Sequence, residues 1–223
     1  MKIKLNISLL IFSIFLCSCI LINPVNSQQS EKIKNLDERV QKFLDSRRGT
    51  WRDMNVPTSD GKILYDIIIK NKYKKALEIG TSTGHSAIWI AWALSKTGGK
   101  LITIEIDEDR YNEAVANFKE AGLSEYIDAR LADAHKLVKE LKGPFDFVFC
   151  DADKYWYKNY FIDVFPRLEV GGCYTAHNVS GRSGWRRGGT GEFYDYIKDL
   201  PNLETMVDNS GAGISMSYKK TEK

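Results

Sequence analysis

Two apolar segments of the chain end in side chains that can carry acid–base or metal chemistry. FDFVFC is followed by DADK, which contains Asp151 and Lys154, and GGCYTA is followed by His177 and Asn178. A carboxylate, an imidazole and an amide can bind a metal ion, and a lysine amine can act as a base. If both segments are strands of one parallel sheet, these side chains lie at the same edge of that sheet.

A glycine-containing turn, one acidic side chain and a short backbone segment indicate a nucleoside-type ligand. Gly80 and Gly84 in ALEIGTSTGHS follow a third apolar segment, with a spacing that lacks the G-x-G-x-x-G pattern of dinucleotide sites. Glu105 ends the next segment, where an acid can bind ribose hydroxyls, and residues 132–134 (ADA) end another, where their backbone can meet an adenine. Each feature alone is equally well explained as a tight turn or a solvated acid, but together they favour an adenosine-type cofactor.

The elements that must position these residues alternate regularly. Five short apolar strands are predicted, each followed by a helical segment: KALEI, LITIEI, IDARL, FDFVFC and GGCYTA. This alternation predicts a doubly wound, Rossmann-like α/β sheet that is mostly parallel, with helices on both faces. A final pair, LETMVD and GISMSYK, predicts a hairpin that adds an antiparallel strand. Upstream, a helix is predicted over 31–48, and a second near Asp60 with Thr58 or Ser59 as its cap.

The first residues are typical of a targeting segment. Lys2 and Lys4 precede an uncharged apolar stretch that ends near Ile22, and small residues follow. We predict a signal peptide over 1–27 with cleavage after Ser27, and export to the periplasm or the medium. A lipoprotein with Cys19 lipidated, or an uncut anchor associated with the membrane through residues 5–22, are the alternatives. Residues 28–223 then form a single domain.

Composition excludes some partners. Removal of Lys2 and Lys4 lowers the net charge from +3 to +1, so no nucleic-acid partner is expected. Cys150 and Cys173 lie inside apolar strands and are expected to be buried structural thiols.

Several motifs, in unbroken order, resemble the class I S-adenosylmethionine-dependent O-methyltransferases, most closely the catechol and caffeoyl-CoA branch. They are MNVPTSDG, ALEIGTSTGHSA, ITIEID, FDFVFCDADKYWY and GGCYTAHNV, and the resemblance covers roughly residues 50–220. It implies a seven-stranded sheet with an antiparallel last strand, S-adenosylmethionine as cofactor, a small hydroxylated acceptor and, in many relatives, a homodimer.

The resemblance also implies roles for individual residues. Ten positions are expected at the cofactor: Val56, Glu78, Gly80, Thr81, Gly84, Ser86, Glu105, Asp133, Ala134 and Asp151. Lys154 is expected to act as the base. His85 stands where relatives often have Tyr, and as a single histidine in a first helical turn it is expected to be structural. The loop with Trp185, Arg186 and Arg187 is expected to border the acceptor pocket.

One position departs from the family pattern. The resemblance implies a metal held by the first Asp of DADK and by an Asp-Asn pair, but His177 stands where the Asp of that pair is expected. A set of Asp151, His177 and Asn178 favours Mn²⁺, Fe²⁺ or Zn²⁺ over Mg²⁺. Two other interpretations stay open: His177 as a base or substrate donor without a metal, and His177 as a packed side chain in an inactive site.

The sequence therefore predicts an O-methyltransferase that acts on a small, phenolic or catechol-like hydroxyl. The alternatives are an exported cofactor-binding pseudoenzyme and another nucleoside-using transferase on the same fold, such as an aminopropyl transferase.

Overall fold

The computed structural model describes residues 24–51, 54–180 and 189–221. The helices are α1 (Pro24–Ser46), α2 (Thr58–Asn71), α3 (His85–Thr97), α4 (Glu108–Ala121), α5 (Ala134–Glu140), α6 (Tyr157–Val164) and α7 (Gly189–Ile197). The strands are β1 (Lys75–Ile79), β2 (Lys100–Glu105), β3 (Ile127–Leu131), β4 (Phe145–Cys150), β5 (Leu168–His177), β6 (Leu203–Asp208) and β7 (Ile214–Lys219).

The seven strands form one sheet in the order β3-β2-β1-β4-β5-β7-β6. The first five pair in parallel, whereas β7 lies antiparallel to both β5 and β6. The predicted doubly wound sheet, its antiparallel last strand and the terminal hairpin are therefore confirmed.

Helices cover both faces of the sheet, because successive side chains of a strand point to opposite sides. In β4, Phe147 and Phe149 pack into the core under α1 to α4, and Val148 and Cys150 pack into the core under α5 to α7. Strands buried on both faces are apolar along most of their length, which is why their pattern was visible in the sequence.

The segment before β1 differs from its prediction. α2 begins at Thr58, and Pro57 takes the cap position without a side-chain hydrogen bond. Neither Thr58 nor Ser59 caps the helix; the Ser59 hydroxyl instead donates to Oδ1 of Asp60 at 3.0 Å. The cap prediction was wrong because the helix starts two residues earlier than expected, so that Thr58 and Ser59 lie inside its first turn and Pro57 takes the cap position.

α1 begins upstream of the cleavage position predicted after Ser27. Residues 5–22, Cys19 and the two N-terminal lysines lie outside the described part of the chain. None of the helices that the structure describes is long and apolar enough to cross a bilayer.

The two cysteines of the domain are buried and free. Cys150 pairs with Ala176 across β4 and β5, whereas Cys173 pairs with Phe147. The two thiols are thus offset by three residues, about 10 Å along the strands, which is too far for a disulfide. They are structural, as expected.

Candidate active site

A cleft of about 790 Å³ opens at the carboxyl edge of the parallel strands. Ten of the predicted site residues line it: Gly80, Thr81, Ser86, Glu105, Asp133, Ala134, Asp151, Lys154, His177 and Asn178. Its size suits a nucleoside-type cofactor together with a small acceptor. Val56, Glu78 and Gly84 do not line the cleft and lie behind its wall.

Glu105 is held rigidly at the end of β2. Its Oε2 accepts a hydrogen bond from the Ser82 amide at 2.7 Å, and its Oε1 accepts from the amides of Ile106 and Asp107 at 2.9 and 3.0 Å. Three backbone donors orient the carboxylate while it still lines the cleft. A carboxylate has about four acceptor sites, so capacity remains for ligand hydroxyls.

The Gly80 turn lies in the cleft between Glu105 and Asp151. Gly80 has φ of +97°, and a Cβ there would lie 2.4 Å from the carbonyl oxygen of Asp151. The amides of Gly80 and Thr81 both donate to the Ile104 carbonyl at 3.1 Å. The glycine thus allows close backbone approach, and these two amides serve the turn itself.

Glu78 lies beneath this turn rather than in the cleft. It is fully buried, and its Oε2 accepts from the Thr103 hydroxyl, which in turn bonds that of Thr81 at 2.5 Å. Burial raises the pKa of Glu78 to about 8, although hydrogen bonds from Ser86 and Thr103 oppose the rise. The position agrees with a residue that supports the turn.

His85 belongs to the core. Its Nδ1 lies 2.9 Å from the Val56 carbonyl, and its Nε2 accepts from the Trp89 indole at 3.1 Å, so the ring carries its proton on Nδ1. Burial lowers the pKa of His85 to about 4, against the effect of the Val56 carbonyl. Trp51 stacks on the ring at 4.4 Å. The ring ties the segment around Val56 to α3, in agreement with the structural role expected.

Asp133, which was expected at the adenine, acts first as a helix cap. Its Oδ1 accepts from the His135 amide at 3.0 Å at the start of α5. The His135 ring stacks on Tyr160 at 5.6 Å and tilts against Trp156 at 4.5 Å. His135 and Tyr160 both line the cleft and were not predicted.

At the opposite end, His177 is bonded at both ring nitrogens. Its Nε2 lies 2.9 Å from Oδ2 of Asp60, and its Nδ1 lies 3.0 Å from Oδ2 of Asp151. All three side chains are at least nine-tenths buried. Burial tends to lower the pKa of His177, but the two carboxylates raise it to about 9. Burial would raise the pKa of both acids, yet bonding to His177 lowers each below its usual value.

Lys154 completes this group of side chains. Its ammonium pairs with Oδ1 of Asp151 and donates to the Tyr157 hydroxyl at 2.9 Å. Burial of Tyr157 raises the pKa of its phenol well above the usual value. Lys154 is about one-third exposed, so its amine remains reachable from the cleft.

The donor set predicted for a metal does not fit one as it stands. Both ring nitrogens of His177 face carboxylates, so neither has a lone pair aimed at a shared point with Asp151 and Asn178. Within residues 24–51, 54–180 and 189–221, no group of three or more His, Cys, Asp or Glu side chains is arranged to hold a metal ion.

Asp60 is the functional candidate that the sequence did not reveal. It lies in the first turn of α2, 117 residues before its partner His177. The only signal in the sequence was its place in MNVPTSDG, one of the motifs that carry the resemblance, and its full burial is seen only in the structure. The predicted acceptor loop with Trp185, Arg186 and Arg187 lies outside the described residues.

A mostly parallel sheet with a fixed acid at the end of its second strand and a cleft across the switch point is typical of the α/β proteins that bind nucleoside cofactors. Residues 25–184 match the model of the O-methyltransferase family. The chain belongs to that family.

Individual relatives agree with this assignment. A catechol O-methyltransferase of Niastella koreensis is 40% identical over 130 residues, which are 56% of this chain and 58% of that one. A caffeoyl-CoA O-methyltransferase of Stellaria longipes is 32% identical over 166 residues, 72% of this chain and 66% of that one. The chain thus matches somewhat less than two thirds of the length of these relatives.

Solved structures share the fold. The O-methyltransferase from Bacillus cereus in complex with SAH has a TM-score of 0.66 and 25% identity, over 88% of this chain and 97% of that one. TomG from Streptomyces achromogenes, in complex with SAM, has a TM-score of 0.68 and 23% identity, over 87% and 96%. The latter likeness concerns the fold alone.

Proposed function

We propose that this protein transfers a methyl group from S-adenosylmethionine to a phenolic, catechol-like hydroxyl of a small molecule. The observation that carries the proposal is one continuous cleft with Glu105 at one end and the Asp151–Lys154–His177 group at the other. The activities named for the two relatives, methylation of catechol and of caffeoyl-CoA, support a phenolic acceptor.

The cofactor side of the proposal uses residues that the fold holds rigid. Glu105 takes the ribose hydroxyls, Asp133 and Ala134 meet the adenine edge, and Ser86 with the Gly80 turn meets the methionine part. The acids at this end also suit a cofactor that carries a positive charge on sulfur, since opposite charges attract across a partly dry cleft.

The reaction itself needs a reactive oxygen. A lone pair of the acceptor oxygen forms the C–O bond as the C–S bond breaks, and the hydroxyl loses its proton. A phenol has a pKa of about 10, so only about one molecule in a thousand is ionised near pH 7. Lys154 is the proposed base: once its amine has released its own proton to solvent, it can take that of the acceptor.

Methyl transfer to matched acceptors tests the proposal. Catechol and cyclohexane-1,2-diol offer two adjacent hydroxyls of similar spacing, but only the hydroxyls of catechol are phenolic and therefore far more acidic than those of an aliphatic alcohol. We expect the purified chain to bind SAH in calorimetry and to methylate catechol but not the diol, assayed with and without Mg²⁺ and Mn²⁺.

Two outcomes count against the proposal. If the chain does not bind SAH, S-adenosylmethionine is not its cofactor and the proposed reaction is wrong. SAH binding without methyl transfer to any phenol supports instead the cofactor-binding alternative without turnover.

Export is a separate proposal. We propose cleavage after Ser27, with lipidation of Cys19 or an uncut anchor through residues 5–22 as alternatives. The mass of the mature N-terminus from fractionated cells decides among them, because only cleavage after Ser27 yields a chain that starts at Gln28. The homodimer stays a prediction that the molar mass in solution checks.

A further inference from the structure

Asp60, His177 and Asp151 form a closed row of hydrogen bonds at the floor of the cleft. The two ring nitrogens of His177 lie 2.9 and 3.0 Å from one oxygen of each acid. An ionised carboxylate can only accept hydrogen bonds. Both ring nitrogens therefore donate, and the ring is an imidazolium with a fixed positive charge.

Further groups bond to the carboxylates of this row. The Ser59 hydroxyl donates to Oδ1 of Asp60 at 3.0 Å, and the Ala212 amide donates to its Oδ2 at 3.0 Å. On the other side, the Lys154 ammonium pairs with Oδ1 of Asp151. With Lys154 included, two carboxylates thus face two cations, and the four charges cancel.

A divalent ion would have to break this arrangement. To bind at His177 it needs a ring lone pair, which costs the ring a proton and one of its two carboxylate partners. The carboxylate on that side would then face the ion instead of the ring, and together with Lys154 the buried group would carry one positive charge in excess, which is unfavourable. The Lys154 ammonium, which donates to the Tyr157 hydroxyl at 2.9 Å, lies on the Asp151 side of His177. Its positive charge would repel the ion.

We infer that the His177 imidazolium takes the place of a divalent cation, so that methyl transfer by this protein requires no metal ion. His177 lines the cleft, so its charge lies beside the acceptor oxygen as that oxygen becomes negative. Asp60 does not line the cleft; it is a positioning residue that fixes the ring from behind. The catalytic part of this inference rests on the proposed function, whereas its metal-binding part does not.

Metal content tests the inference without any need for activity. Wild type, His177→Asp and His177→Asn are equilibrated with SAH and Mn²⁺ or Zn²⁺, passed through a desalting column and analysed for metal. The two variants have nearly the same shape and differ in one carboxylate. We expect below about 0.1 equivalents in wild type and His177→Asn, and about one equivalent in His177→Asp, where oxygen ligands replace the imidazolium. A full equivalent in wild type, lost in His177→Asn, overturns the inference.

Chelation tests the catalytic part. Wild type dialysed against EDTA is expected to keep its rate of methyl transfer within about twofold, since no metal-bound oxygen takes part. Loss of that rate, restored by a divalent ion, overturns the inference. If no phenol is methylated in any buffer, the proposed function fails, and metal content alone then decides this inference.

Asp60→Asn tests the positioning role. The amide keeps the shape but removes the charge that holds the ring. We expect kcat to fall about tenfold while KM for the acceptor and SAH affinity hold, because the ring loses its alignment and the pocket does not. Unchanged kcat in the folded variant contradicts the role assigned to Asp60.

Discussion

Asp60 and His177 are 117 residues apart in the chain, yet their side chains form a buried 2.9 Å hydrogen bond. The bond joins the first turn of α2 to the end of β5, and the Ala212 amide of the β6–β7 turn shares the same carboxylate. Three segments distant in sequence thus meet at one acid.

This acid should be important for stability. Removal of one partner from a buried ion pair costs about 3–5 kcal/mol, whereas exposed pairs contribute about 0–1 kcal/mol. We therefore expect Asp60→Asn to lower the free energy of unfolding by several times more than Asp66→Asn, which removes an exposed pair with Lys62 in the same helix. Urea denaturation measures both, and equal losses would contradict a buried ion pair.

Stability should also depend on pH through His177. Its pKa is raised to about 9 in the folded chain, against about 6.5 when unfolded. Its contribution is therefore complete below about pH 6.5 and is lost as the pH rises through 9. Glu78 also releases a proton in this interval, in wild type and variant alike. The difference in unfolding free energy between wild type and His177→Asn should shrink from pH 6.5 to 9. A difference that stays constant over this interval would show that the pKa of His177 is not raised in the folded chain.

Glu105 should control cofactor affinity. Its carboxylate is held by three backbone amides in the cleft, and each hydrogen bond between a charged group and a ligand hydroxyl is worth about 1.5–3 kcal/mol. Glu105→Gln should weaken SAH binding by at least about tenfold in calorimetry. Glu108→Gln, an exposed acid in the first turn of α4, is the control and should change little. If both variants lose SAH affinity to a similar extent, the loss reflects the removal of negative charge in general and not a contact between Glu105 and the cofactor.

Gly80 should tolerate no side chain. Gly80→Ala and Gly98→Ala both force an alanine into positive φ, at a cost of about 1–2 kcal/mol. At position 80 the new Cβ would also collide with a backbone atom, whereas a Cβ at position 98 would have no atom within 4 Å. Gly80→Ala should cost about 1–3 kcal/mol more in urea denaturation and should weaken SAH binding. Equal costs would show that the turn can relax away from Asp151.

Lys154 should be needed for its ability to lose a proton. Lys154→Met and Lys154→Arg should both lower kcat by about 10²–10⁴ while SAH affinity is kept, because arginine retains the charge but does not give up a proton. Single-turnover rates with catechol measure the effect. Activity retained by Lys154→Arg alone would assign Lys154 the role of a fixed cation beside Asp151.

Much of the fold could be predicted because its information is local. Strands buried on both faces are short apolar runs, and their ends carry Glu105, Asp151 and His177, which parallel pairing must place along one edge. The contact between Asp60 and His177 could not be predicted, because it depends on how α2 packs against the end of β5. The prediction of a metal site did not include this contact, for the same reason. The spacing of Asp151 and His177 indicates that their side chains are close together, but not which of their atoms face each other.

The position of β7 has a consequence for how the sheet is assembled. β6 precedes β7 in the chain but contacts the rest of the sheet only through it. The two strands must therefore join as a preformed hairpin, or β6 must wait until β7 has docked on β5. The Ala212 amide lies in the turn of that same hairpin, so the buried acid of α2 gains this donor only when the hairpin docks.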